Sequence, residues 1–150
     1  MSTNDETADA RRTALHTLDR LVGTWSVDGP DTHGTVRYEW FEGDAFLVQH
    51  IDLVGGDGET TRGVEYIGWD PKSQTLRSHF FGNSSEILEY THDLAGDTLT
   101  IWFGGTDSPA KFVGRFDATG NRNTGAWEWP GGGYESTMTR IESTGEEVES

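Results

Sequence analysis

Five histidines and four strand carboxylates are the residues through which this chain could do acid–base or metal chemistry. An imidazole titrates near neutral pH, so it serves as general base, proton shuttle or metal ligand. His16 falls in a helical pattern and His33 in a loop, where both are expected to be solvated. His50 and His79 fall in mid-strand among aromatics, and His92 completes the set. No histidine stands in His-x-His, in His-Glu-x-x-His or beside a carboxylate at ligand spacing, so a dedicated metal site is not expected. Glu39, Glu65, Glu89 and Glu128 suit paired-carboxylate chemistry only if two of them face one cleft; each is otherwise expected in water. There is no Gly-x-Ser-x-Gly elbow, and Ser78 and His79, as neighbours, point to opposite faces of a strand. A serine triad therefore has no support. Gly55-Gly56-Asp57-Gly58 and Gly104-Gly105-Thr106-Asp107 lack the Lys and the strand–helix setting of phosphate loops, and read as hairpin turns. The absence of cysteine excludes disulfides and thiolate metal sites.

The elements that must position these residues follow from periodicity. Between Ala8 and Arg20 and just beyond, Ala14, Leu15, Leu18, Leu21 and Val22 recur at helical spacing, and Gly23 is a natural stop. The Leu15/Leu18 stripe is expected to pack across an open end of the domain. From Trp25 the period changes to two, predicting strands near 24–28, 35–41, 45–54, 61–69, 75–81, 86–93, 97–103, 111–117, 123–129 and 134–141. About ten short strands joined by Gly-, Asn-, Asp- and Pro-rich turns describe an all-β, up-and-down antiparallel sheet. Closing it into a barrel removes the exposed edges. No helical pattern lies between the strands, which argues against an α/β fold. The domain is placed at 10–142, between acidic tails at 1–9 and 143–150 that are expected to be disordered.

Alternate residues of a barrel strand face inside. Strand 75–81 divides into Leu76, Ser78, Phe80 and Arg77, His79, Phe81; strand 61–69 divides into Val64, Tyr66 and Glu65, Ile67, Trp69. A three- or five-residue loop at Pro71 puts Glu65 beside Arg77 and His79 as a charge network. A four-residue loop puts Tyr66 there instead and makes an aromatic pocket with two polar hooks. The pattern leaves both open. In the last hairpin, a loop of Pro130–Gly133 sets Trp129 opposite Tyr134 and Trp127 opposite Ser136. With 6 Trp, 4 Tyr and 7 Phe, the chain has more aromatics than plugging a barrel end requires, which points to an aromatic cavity. The expected ligand-binding residues are His50, Tyr66, Arg77, His79, Phe81, Tyr90, Trp102 and Trp127, with His79 at the cavity wall.

A short helix, then Leu21-Val22-Gly23-Thr24-Trp25, then a β meander resembles the calycin group of lipocalin-like barrels over residues 10–142. It looks closest to small bacterial members grouped as domains of unknown function, and is distantly similar to nitrobindin. The resemblance implies structural roles for Gly23 and Trp25, and for Arg140, which stands where the family has a basic residue covering that Trp. It also implies a small hydrophobic ligand held in the barrel. Nitrobindin-like members hold a haem through one strand histidine near the C-terminus, where this chain has Met138 and no histidine. No cofactor is expected; a haem would have to use His79 or His50 instead.

The net charge of −15, from 26 acidic against 11 basic residues, repels phosphate backbones and anionic lipid. Nucleic acid and membrane surfaces are therefore not expected partners. The acidity fits either solubility or a high-salt interior. Met1 to Ala10 is polar and acidic, so no signal peptide is expected, and no run reaches the ~20 apolar residues of a membrane span. Asn83-Ser84-Ser85 matches a glycosylation sequon, but nothing else in the sequence indicates secretion. The expected location is the cytoplasm. The expected function is a binding module for a small, largely apolar molecule, with a homodimer left open. The alternatives are a barrel enzyme using His50 or His79 for cyclisation or isomerisation, a haem protein, and an interaction barrel with no ligand.

Overall fold

The computed structural model describes residues 3–141. A helix, α1 (Thr3–His16), runs into a short 3₁₀ helix (Thr17–Leu21). Ten strands follow: β1 (Gly23–Asp28), β2 (Thr32–Trp40), β3 (Leu47–Gly55), β4 (Thr60–Asp70), β5 (Thr75–Gly82), β6 (Ile87–Ala95), β7 (Thr98–Phe103), β8 (Lys111–Phe116), β9 (Arg122–Trp129) and β10 (Gly132–Arg140). Each strand pairs antiparallel with its sequence neighbours, and β1 pairs with β10 to close the barrel. The period-two segments thus become the ten strands of an up-and-down barrel with one N-terminal helical segment. The helix starts at Thr3, before the Ala8 start that apolar spacing predicts and inside the stretch expected as tail. Glu6, Ala8 and Ala10 are good helix formers without an apolar stripe, so periodicity is blind to this turn. The 143–150 tail lies outside the described residues. No described helix is long and apolar enough to cross a membrane.

The helical segment plugs one end. Leu15, Leu18 and Leu21 are 4%, 0% and 1% exposed and join Trp25, Leu47, Ile67, Leu76, Leu94 and Phe116 in one core. Full burial of a leucine contributes about 1.5–3 kcal/mol, so this three-residue stripe is what holds the plug in place. Two hydrogen bonds fix its angle: Trp25 Nε1 donates to Leu21 O at 2.8 Å, and Trp40 Nε1 donates to Asp19 Oδ1 at 2.9 Å. Gly23 has φ 128°, and a Cβ there would stand 2.5 Å from Arg140 Nη1. Only glycine admits both that backbone and the guanidinium, which explains its place before Trp25.

Registers decide the faces. Tyr66 pairs with His79 and Asp70 with Thr75, so the Pro71–Gln74 loop has four residues. Tyr66, Arg77 and His79 do share a face, but it is the outer one. Leu76, Ser78 and Phe80 point inward at 4%, 1% and 6% exposure, while His79 and Phe81 are exposed. The plugged end requires Leu76 and Ile67 inside, and the opposite parity would bury a guanidinium and an imidazole without partners. In the last hairpin Trp129 pairs with Gly132 and Trp127 with Tyr134, so the loop is Pro130-Gly131 and not Pro130–Gly133. Proline followed by a glycine at φ 93° forms a two-residue turn, shifting the register by two and keeping the same faces.

Candidate functional site

The barrel interior holds a cavity in two lobes that share Tyr38, Gln49, Ile51, Ile101, Trp127 and Tyr134 in their walls. The larger lobe, about 580 Å³, reaches solvent past Phe103, Trp129 and Tyr134, which are 47%, 42% and 44% exposed. The smaller, about 190 Å³, lies deeper against Phe112, Asn123 and Met138. Aromatic edges and faces meet around the larger lobe: Tyr90 lies 5.6 Å from Phe103 and 6.1 Å from Trp127, and Trp129 lies 6.0 Å from Tyr134, centroid to centroid. Such offset contacts give a stiff wall. Deeper in, Gly114 pairs with Gly125, and the Phe112 ring occupies the space that Cβ atoms there would need. A Cβ on Gly125 would also run into Val113 O, so the two glycines let the ring lie flat against the wall.

Among the polar groups in the lining, Gln49, Thr61 and Glu86 included, one is deeply buried and held in a cluster. Glu65 is 6% exposed, lines the larger lobe and is held from behind by two buried residues, Ser78 and His92. Ser78 Oγ donates to Glu65 Oε2 at 2.5 Å and lies 2.9 Å from His92 Nε2. That nitrogen lies 3.2 Å from the same carboxylate oxygen. Because the serine proton is directed at the carboxylate, Nε2 faces two acceptors and carries a hydrogen itself. The cluster therefore runs from His92 through Ser78 to Glu65, with the carboxylate as terminal acceptor. It is not a hydrolase triad, since the imidazole donates to the serine and does not take its proton. Burial, and then the Glu65 charge, push the Tyr38 phenol well above its ordinary pKa. The same causes in the same order bring Tyr90 up to about 12, with smaller contributions from Tyr134 and Glu86.

The expected ligand-binding residues divide between the two sides of the wall. Tyr90 and Trp127 line the cavity. His50, Tyr66, Arg77, His79, Phe81 and Trp102 do not. Tyr66, Arg77, His79 and Phe81 meet in an outer depression of about 520 Å³, with Phe46 and Glu89. There Glu89 takes Arg77 Nη2 at 3.1 Å and His79 Nε2 at 3.3 Å, and the His79 and Phe81 rings stack 6.4 Å apart. His50 pairs with Glu39 at 2.7 Å on the outer face of β3. The His50 hydrogen bond, and then that of Arg37, hold the Glu39 carboxyl below its ordinary pKa. Trp102 faces a depression under α1 with Trp69 and Thr91. The outward turn of His79 and His50 follows from the parity that buries Leu76 and Leu47.

Sequence reasoning passed over His92, Ser78, Tyr38 and Gln49 as site residues. A signal was present: Leu88, Tyr90, His92 and Leu94 alternate along β6, marking His92 as inward. Gly23, Trp25 and Arg140 take their expected places, with the Arg140 guanidinium 4.2 Å over the Trp25 ring. For the haem alternative, the chemistry of the lining is unfavourable: among the described residues no histidine lines the cavity to serve as axial ligand, Tyr38 and Tyr90 are held as neutral phenols, and His92 is engaged with Ser78 and Glu65 behind the wall. Among the described residues no group of three His, Asp or Glu side chains is placed to hold a metal ion. No protein-family model matches this chain, and no curated protein sequence matches it.

Proposed function

We propose that this protein is a binding module that admits a small, largely apolar aromatic molecule into the barrel through the end opposite the helical plug. The observation that carries the reading is the lining: Tyr90, Phe103 and Trp127 stand around one space in the barrel that opens past two more aromatics. The barrel order, Gly23-Thr24-Trp25 and the cover of Arg140 support reading the chain as a small calycin. Calycins as a group hold hydrophobic ligands in this place.

A second reading, acid–base catalysis such as isomerisation inside the cavity, is favoured by one observation. Glu65 is a carboxylate fixed at the wall by two donors, the position from which a base can take a proton. The base would then be Glu65 and not His79 or His50. Titration with the neutral fluorophore N-phenyl-1-naphthylamine tests the binding reading. Saturable 1:1 emission enhancement, weakened in Trp127→Ala, is expected. A folded protein that leaves the probe dark would overturn it. Native mass spectrometry of a bound compound over time separates the readings, because a binder returns it unchanged.

A further inference from the structure

We infer that the molecule held in the barrel carries an ammonium group, which meets Glu65 at the wall of the larger lobe while its aromatic body lies against Tyr90 and Trp127. This rests on the binding reading and adds the chemical class of the ligand.

Three independent features of the cavity converge on it. The first is charge. Glu65 and Glu86 line the larger lobe, and among the described residues neither lobe has a lysine, arginine or histidine in its wall. A carboxylate-bearing or phosphate-bearing ligand would meet two carboxylates in the wall and no basic side chain there, His92 standing behind Glu65. The second is the free half of the Glu65 carboxylate. Its Oε2 is occupied by Ser78 and His92, whereas Oε1 takes no hydrogen bond from a described residue and is not sealed from the cavity. A nine-tenths buried carboxylate with one oxygen left open toward the cavity is costly unless something donates to it. Ser78 and His92 anchor Oε2 from behind, so less of the carboxylate's freedom must be lost on binding.

The third feature is the wall itself. Tyr90, Phe103 and Trp127 present ring surfaces around the same lobe, and an ammonium group near such faces is attracted by their quadrupoles. A carboxylate beside an aromatic box is the combination that selects an organic cation over its neutral isostere. Outside the cavity, the chain's net charge of −15 concentrates cations at the surface, and Glu86 extends that field into the lining of the lobe.

Three naphthalene probes of similar size make the test at pH 7.5: 1-naphthylmethylamine, which is cationic, neutral 1-ethylnaphthalene and anionic 1-naphthylacetate. Each is titrated into the full chain and into Glu65→Gln and Glu86→Gln by calorimetry. The cation is expected to bind about tenfold or more tightly than the neutral isostere, and the anion more weakly than either. Glu65→Gln should remove that preference, while Glu86→Gln should keep most of it. Equal binding of cation and isostere by the native chain, or a preference that survives Glu65→Gln, would overturn the assignment and leave the binding reading standing. Failure of all three probes to bind would overturn both. Should Glu65→Gln not fold, a salt series on the native chain decides: a preference set at Glu65 persists in 1 M salt, and one set by the surface field vanishes.

Discussion

The Arg140 guanidinium lies 4.2 Å over the Trp25 ring and donates from Nη1 to Val22 O at 2.6 Å and from Nη2 to Arg20 O at 2.8 Å. A third bond, from Nε to Asn121 Oδ1 at 2.9 Å, ties the same group to the β8–β9 turn. One side chain of the last strand thus covers the barrel's first tryptophan and satisfies carbonyls at the end of the 3₁₀ helix. A lysine cannot reproduce this, because the planar fork supplies both the stacked face and the divergent donors. Arg140→Lys is expected to lower stability by about 1–3 kcal/mol. Urea unfolding should show an earlier midpoint with an unchanged slope; an unchanged midpoint would show the cap to be ornamental.

Leu18 is fully buried between the helical segment and the barrel end. Its truncation leaves a cavity that neighbouring strands, fixed by their hydrogen-bond ladders, cannot close. Leu18→Ala is expected to cost about 2–5 kcal/mol, measured by thermal or chemical unfolding. A loss of only a few tenths would mean that the helix sits on the barrel without sealing it.

The strand count and the leucine stripe were legible because each rests on local pattern, whereas the pairing of Trp25 with Arg140 came from the resemblance to calycin barrels and not from the pattern. Period-two alternation and turn residues mark strands wherever they pair. The side of the wall on which His79 lies was not legible, because parity in a closed barrel is set jointly by every strand. Leu76 must reach the plug, so Ser78 comes inside and His79 goes out, and nothing within 75–81 says that Leu76 outranks Phe81. The Glu65–Ser78–His92 cluster was illegible for the same reason, since its members lie on three strands and meet only when those parities agree. Outside, Glu89 with Arg77 and His79 makes a charge network of the expected kind with Glu65 absent from it.

Within the buried cluster, Ser78 is the hinge between donor and acceptor. Ser78→Ala removes the short bond to Glu65 and leaves His92 Nε2 facing the carboxylate alone at 3.2 Å. A loss of about 1–3 kcal/mol is expected, the usual cost of stripping a buried acceptor of its partner. The double variant with His92→Ala should fall short of the sum of the two single losses, because both changes strip the same carboxylate. Strict additivity in the unfolding free energies would show that the three side chains do not act as one unit.

Alkaline titration reads the same carboxylate through its neighbours. Burial, and then the Glu65 charge, raise Tyr38 and Tyr90 above the ordinary value of 10.0, Tyr90 to about 12. A group whose folded pKa is raised binds its proton more tightly in the folded state. The stability it contributes is complete below pH 10, where both states are protonated, and is lost as pH rises toward about 12. Absorbance at 295 nm should therefore show Tyr38 and Tyr90 ionising later than a free tyrosine, with unfolding midpoints dropping over that window. Because Glu65 contributes to both shifts, Glu65→Gln should bring the late transitions to lower pH while burial keeps them above 10.0. Late transitions that stay in place in Glu65→Gln would mean that burial alone sets them and that the carboxylate does not face the two phenols.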